Sequence, residues 1–290
     1  MRVLTNQIHI AWTDKCARTP FLARMYNFNM TDTFSQEEFL RYARQLVIPE
    51  VGLEGQRQLK ATSVLVVGAG GLGSPVALYL AAAGIGHIGL VDDDSVDVSN
   101  LQRQILYGAS QAGQPKAGSA RERLLKLNPN IQVDAIQERF TEQSAEKIAD
   151  GYEILVDCSD NFPTRYLIND LCVLTHRPDV YGAVYRFEGQ VSVFDASQGP
   201  CYRCVFPEPP PFDSSLDPAE VGVMGAVTGV IGSLQAMEVI KIALQVGTPL
   251  YGRMLIFDGL EGSFQSLKIP KRSECRMCGE NPVITSLGKG

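Results

Sequence analysis

Short unbroken apolar runs recur along the chain and are spaced by helix-length segments. Positions 64–67, 88–91 and 154–156 are apolar without interruption and rich in β-branched residues. Such runs predict central parallel strands covered on both faces. Helices are predicted over 75–83, 115–127 and 141–149, and the alternating stretch 131–136 predicts another strand. Ser35, followed three residues later by Glu38, forms a capping-box signature that opens a helix over 35–42. Pro115 in the first turn and Asn128-Pro129 after the last bracket the 115–127 helix.

Strand–helix alternation over 60–180 implies βαβ units and a doubly wound sheet. After Tyr181 the character changes. Segments 184–187 and 191–194 flank Glu188-Gly189-Gln190 and predict a hairpin. The proline run at 207–211 predicts a stiff extended segment. Late strands are expected at 255–258 and 264–269. The apolar stretch 221–236 holds Gly222, Gly225, Gly229 and Gly232 and is followed by Glu238 and Lys241. It falls short of the roughly 20 clean apolar residues of a membrane span, so it reads as a buried helix. The fold class is therefore α/β: a Rossmann-like, doubly wound, mostly parallel sheet extended by antiparallel strands.

Residues 1–30 stand apart. They hold Arg2, Lys15, Arg18 and Arg24 against one acid, Asp14, and lack the apolar stretch of a signal peptide. They read as a disordered or spurious extension with Met30 as the working start; a transit peptide is the alternative. Residues 31–290 read as one domain, with a nucleotide-binding half at 60–180 and a second half at 181–290.

Composition narrows the class. The chain has 290 residues, 45% hydrophobic and 20% charged, with a formal net charge of -6. That charge argues against nucleic acid or an anionic membrane as partner. Seven cysteines, four of them in two C-x-x-C pairs, favour metal over disulfides and a reducing, cytoplasmic setting.

Gly68, Gly70 and Gly73, with Gly71 added, follow a predicted strand and open a helix. Glycines there bring backbone N–H groups close to a phosphate at the helix N-terminus. Asp92 ends the next strand, where an acid accepts from ribose hydroxyls. Alone, the motif fits an NAD(P)-dependent oxidoreductase equally well, and that alternative stays open. The run Asn100-Leu101-Gln102-Arg103-Gln104 carries one guanidinium, which suits a triphosphate better than a pyrophosphate. Lys116, in the first turn of its helix, opposes the helix dipole unless an anion lies beside it; the plain alternative is a solvated lysine. Asp157 and Asp160 follow a strand at the carboxyl edge of the sheet, where a carboxylate is a natural Mg²⁺ ligand. Asp160 is preferred for the metal, and Asp157 is alternatively a turn residue. No nucleophilic serine motif is present, and the three histidines, His9, His87 and His176, lie in unrelated contexts.

Cys201-x-x-Cys204 and Cys275-x-x-Cys278 supply four thiolates, the donor set of a closed tetrahedral Zn²⁺ site. A closed site is structural, and a redox role is the alternative. Cys158 and Cys172 fall in apolar stretches and read as inert core residues; Cys16 is left over.

Together the run from Gly68 to Gly73, Ser99 to Gln104, Gly113-Gln114-Pro115-Lys116, Asp157-Cys158-Ser159-Asp160-Asn161 and the cysteine pairs resemble the MoeB/ThiF/HesA family. These are bacterial relatives of ubiquitin-activating enzymes, and the likeness runs over about 35–282. The resemblance implies an adenylyltransferase that uses ATP, Mg²⁺ and Zn²⁺. Asp92 would hold the ribose, Arg103 and Lys116 the phosphates, and Asp160 the Mg²⁺. Gly70, Gly71, Asn100, Gln104 and Asn161 would line the nucleotide, and Arg44 would reach it from the other subunit of a homodimer. The implied partner is a small β-grasp sulfur carrier ending in Gly-Gly, MoaD-like or ThiS-like, serving molybdopterin or thiamine synthesis. Its tail would thread under 207–221.

Family members often carry a cysteine where this chain has Pro218. Adenylation without a loop thiol is therefore expected, with sulfur brought by a separate donor protein. No appended rhodanese domain is expected.

Overall fold

The computed structural model describes residues 34–208 and 222–288. Pro218, Cys16, His9 and most of 207–221 lie outside them, as does the extension 1–30. By its internal contacts the chain falls into two compact units, Met1–Arg57 and Gln58–Gly290. In the first, α1 spans Gln36–Leu46. Its capping box forms as expected: Ser35 Oγ accepts from the Glu38 N–H at 3.2 Å, and Glu38 Oε2 accepts from the Ser35 N–H at 2.8 Å. Phe34, Tyr42 and Leu46 make its small core. Helix α2, Gly52–Ala61, has no match in the sequence reading.

The second unit is built on one eight-stranded sheet in the order β3-β2-β1-β4-β5-β6-β7-β8. The strands are β1 Ser63–Val67, β2 His87–Val91, β3 Gln132–Ile136, β4 Ile154–Asp157, β5 Asp179–Tyr185, β6 Glu188–Phe194, β7 Arg253–Asp258 and β8 Ser263–Lys268. The pairs from β3 through β5 are parallel and those from β5 through β8 antiparallel. Every residue of β1 and β4 is buried, as their apolar runs require. Successive strands are added in one direction from β1 to β3 and in the other from β4 onward, so the loops after β1 and β4 part at the carboxyl edge and open a crevice.

Helices α3 (Gly73–Ala83), α4 (Lys116–Leu127), α5 (Ala145–Ala149), α6 (Phe162–Leu174), α7 (Tyr202–Val205) and α8 (Gly225–Leu244) complete the unit. Four details depart from the sequence reading. Pro115 is the N-cap of α4, so Lys116 is its first residue. Helix α5 is shorter than 141–149 because Ser144 Oγ takes the Thr141 N–H and folds 141–144 into a turn. Asp157 is the last residue of β4 rather than a turn residue. The β5–β6 turn is Arg186-Phe187, with Arg186 at φ 51°, while Glu188-Gly189-Gln190 lie within β6. Gly189 is glycine for another reason: a Cβ there would stand 2.3 Å from Ile231 of α8. Helix α6 was not foreseen.

Among the described residues α8 is the one helix long and apolar enough to cross a membrane. In this structure it packs on β5, β6 and α3. Its glycines divide by position. A Cβ on Gly232 would meet Leu72 O at 2.7 Å and Pro75 Cγ at 2.5 Å, whereas one on Gly229 meets nothing within 4 Å. Gly232→Ala is therefore expected to cost about 1–3 kcal/mol by overpacking. Gly229→Ala should be neutral or stabilise by up to about 1 kcal/mol, the helix-propensity gain. Denaturant unfolding of the pair checks this; equal effects would refute the packing account.

Candidate functional site

Three loops meet the crevice. The first runs from Gly68 to Gly73. Gly68 has φ 96°, and its N–H bonds to Val91 O at 2.9 Å, stitching the loop to β2. A Cβ on Gly73 would lie 2.0 Å from Gly68 O, so only glycine lets α3 begin this close to the strand. Ala69 is held from both sides: its N–H donates to Asp92 Oδ2 at 2.8 Å, and its carbonyl accepts from Tyr107 Oη at 2.8 Å. By contrast, a Cβ on Gly70 would meet only Gln104 Nε2 at 3.6 Å, which leaves open space in front of the loop.

The second loop carries residues 98–104. Asn100, half-buried, accepts from the N–H groups of Arg103 and Gln104 at 3.0 and 2.9 Å. This turn brings Arg103 beside Gly71 and buries Gln104. Arg103 Nη1 donates to Ser99 O at 3.3 Å, leaving the rest of a half-exposed guanidinium for other acceptors. Gln104 Oε1 is buried without a partner, as is Ser74 Oγ in the first turn of α3. Buried polar atoms without partners are uncommon, and these two belong to the first turn of α3 and to the residue beside Gly70. The α8 N-terminus closes this side: a Cβ on Gly225 would stand 2.2 Å from Gln102 O.

Lys116 is not a solvated lysine. It is 5% exposed, its Nζ lying 2.8 Å from Asp94 Oδ2 and 3.9 Å from Asp92 Oδ1. The anion that offsets the helix dipole is thus the protein's own carboxylate pair. Burial raises the Asp92 carboxyl, and the Lys116 charge opposes that shift.

The third loop follows β4. Asp157 is fully buried and shapes it: Oδ1 accepts from the Ser159 N–H at 2.9 Å and from Ser159 Oγ at 2.6 Å. Arg165 Nη2 donates to Ser159 O at 3.3 Å from the other side. This leaves Asp160 exposed. Asn161 caps α6, accepting from the Thr164 N–H at 3.0 Å, and donates to Asp160 Oδ1 at 3.4 Å. Of the residues singled out by sequence, Gly70, Gly71, Asn100, Arg103, Gln104, Asp160 and Asn161 stand on these three loops, with Asp92 directly after β2 and Lys116 at the first residue of α4. Arg44 belongs to the first unit, exposed in the last turn of α1.

The four C-x-x-C sulfurs lie within 4.8 Å of one another. Cys201 and Cys275 are 3.6 Å apart, Cys204 and Cys278 3.4 Å. These separations far exceed a disulfide bond of about 2.05 Å. They approach the roughly 3.8 Å edge of a tetrahedron with metal–sulfur distances near 2.3 Å. The donor set therefore fits one metal ion. The four thiols hydrogen-bond to one another, which lowers Cys204 and Cys275 and raises Cys201 and Cys278; a bound metal would take all four as thiolates. Sequence reasoning missed how this knuckle is fastened. Arg203 holds Asp170 through two bonds of 2.7 Å, and Asn169 Oδ1 accepts from the Tyr202 N–H at 2.7 Å, both partners standing on α6. Cys158 and Cys172 are buried with their thiols pushed up by burial, as expected of inert core residues.

The ThiF family profile matches residues 42–277. A sulfur carrier protein adenylyltransferase of Thermus thermophilus is 50% identical over 259 residues, covering 88% of this chain and 96% of that protein. The adenylyltransferase and sulfurtransferase MOCS3 of Sus scrofa is 51% identical over 254 residues, 87% of this chain. The chain spans 56% of that relative's length. Among solved structures, E. coli MccB with ATP superposes with a TM-score of 0.70 at 21% identity, covering 84% of this chain and 82% of that one. At that identity the likeness is one of fold.

Asp179, on β5, is 1% exposed and neither carboxylate oxygen has a partner among the described residues. Burial, reinforced by Asp157, pushes its carboxyl well above the ordinary range. Across that window the folded state binds more protons than the unfolded one, so stability present at low pH is lost as pH rises through the folded value. Asp179→Asn removes the loss. Its melting temperature relative to the unaltered protein should climb between about pH 4 and about pH 8. A difference that stays flat across that range would show Asp179 to be ionised or irrelevant.

Proposed function

The chain belongs to the ThiF family, and on that premise we propose that it transfers AMP from ATP to the C-terminal glycine carboxylate of a ubiquitin-like sulfur carrier. The observation that carries the reading is the trio of loops at the switch point. One buried lysine, one half-exposed arginine and one exposed carboxylate flank an open glycine loop with orphaned buried polar atoms beside it. The named relatives support nucleotidyl transfer rather than the oxidoreductase alternative.

The chemistry asks for no side-chain nucleophile. The carrier's carboxylate oxygen attacks the α-phosphorus, the bond to the β-phosphate oxygen breaks, and pyrophosphate departs with its electrons. Catalysis of such a transfer is mostly positioning and charge stabilisation. Asp92 takes the ribose hydroxyls while keeping its grip on Ala69. Gly70, Gly71, Asn100, Gln104 and Asn161 shape the nucleotide's bed. Arg103 and Lys116 spread over the phosphate oxygens as charge builds, and Arg44 reaches in from the second subunit of a homodimer. Asp160 would hold Mg²⁺, which neutralises phosphate charge when bound. The cysteine knuckle would hold Zn²⁺ as a closed structural site. A Gly-Gly-ended carrier, MoaD-like or ThiS-like, is the partner, and a separate protein donates sulfur.

The test is carrier-dependent exchange of labelled pyrophosphate into ATP. Arg103→Ala and Asp160→Ala are each expected to lower exchange at least about 100-fold, the scale of losing one charge-stabilising group, with folding intact. Undiminished exchange in both variants, or nicotinamide turnover without exchange, refutes the assignment. Metal analysis should find about one zinc per chain, the stoichiometry of a Cys₄ site. Its removal should lower the melting temperature before it touches ATP affinity. Protein free of zinc with unchanged melting would overturn the structural role.

A further inference from the structure

We propose that Asp94 is a placeholder for phosphate: its carboxylate neutralises Lys116 before nucleotide binds and yields the lysine to the incoming triphosphate. The proposal rests on the nucleotidyl-transfer reading and adds to it a residue that sets the affinity for ATP and for pyrophosphate.

Two carboxylates face Lys116, and they are not equivalent. The Asp92 side chain is 10% exposed and committed elsewhere: Oδ2 accepts from the Ala69 N–H at 2.8 Å, and Oδ1 from the Asp94 N–H at 3.0 Å. Moving it would release the glycine loop. The Asp94 side chain is 69% exposed and holds the Lys116 ammonium at 2.8 Å. Its backbone is secured independently of that contact. The Lys116 N–H donates to Asp94 O at 3.0 Å, and Val96 exchanges bonds of 2.8 Å with Gln114 and Gly113. Rotation of the Asp94 side chain therefore breaks one ion pair and disturbs no main-chain contact.

The charge count explains why it would rotate. One ammonium faces two carboxylates, a net charge of -1 at the point where phosphate must arrive. A triphosphate repels the nearer, movable carboxylate and competes for the same ammonium. An exposed partner contributes a weak pair, so displacing it is easy. Without Asp94, a lysine 5% exposed at the first residue of α4 would have only the more distant Asp92 carboxylate, at 3.9 Å, to offset the helix dipole. Asp94 keeps the ammonium extended into the site during the interval between substrates. Its return after transfer competes with pyrophosphate for Lys116 and promotes release.

Calorimetric titration with ATP, and separately with inorganic pyrophosphate, tests this on the full chain. Asp94→Asn is expected to tighten both ligands by about threefold to tenfold, because a competing charge is removed while a hydrogen-bond acceptor is kept. Asp93→Asn makes the same charge change without touching Lys116 and should gain less. In a Lys116→Ala background the gain from Asp94→Asn should shrink by at least about half, as expected for a direct pair. Weaker binding in Asp94→Asn, with a melting temperature equal to the parent's, would make Asp94 a scaffold and overturn the proposal. A gain undiminished in the Lys116→Ala background would reduce the effect to bulk charge and also overturn it. Failure of the unaltered protein to bind ATP would sink the underlying reading instead, and the two failures are distinct.

Discussion

The site hangs on the two main-chain groups of Ala69. Its N–H is taken by Asp92, directly after β2, and its carbonyl by Tyr107 from farther along the same connection. Backbone groups at a phosphate loop must point outward at the ligand, yet the loop must not collapse when the ligand is gone. Two side chains from the connection between β2 and α4 thereby fix the two peptide groups that flank the Ala69 Cα. Gly68 and Gly73 then bring helix and strand closer than any side chain permits. Asp92 thereby couples loop geometry to charge, since the same carboxylate faces Lys116.

Outward from that point the charges are arranged in order of mobility. Asp157 is buried and the Asp92 side chain nearly so, and both shape loops; Asp94 and Asp160 are exposed. Buried acids with fixed hydrogen bonds make poor ligand contacts but good scaffolds. An exposed acid loses little on moving. The division assigns roles to four aspartates that composition alone treats alike.

Beyond the site, packing is governed by close approach. Helix α8 crosses the sheet over glycines at 182 and 189, whose added Cβ atoms would strike Gln235 and Ile231. The buried Gln235 amide donates to Asp157 O at 2.7 Å and Val180 O at 3.0 Å, tying the helix to β4 and β5. At the C-terminus the cysteine knuckle and the Arg203–Asp170 pair fasten the chain end to α6. Two charges buried together with bidentate geometry specify position more than they add stability.

Much of this was legible in local sequence. Unbroken apolar runs gave the strands, because central parallel strands admit no polar face. The glycine loop after β1 and the gathering of the four cysteine sulfurs followed from residue type and order. What stayed hidden was set by partners distant along the chain. Gly189 read as a turn because sequence shows no Ile231 above it. Lys116 read as solvated or ligand-bound because nothing local shows a carboxylate, 22 residues earlier, brought to 2.8 Å by a β-bridge between Ser95 and Pro115. Tyr107 carries no motif at all; its role exists only where the fold lays it under Ala69. Composition and periodicity determine which elements form, since those are local contests between burial and backbone geometry. The tertiary structure alone decides which side chains meet, since a contact is a property of two segments and neither encodes it by itself.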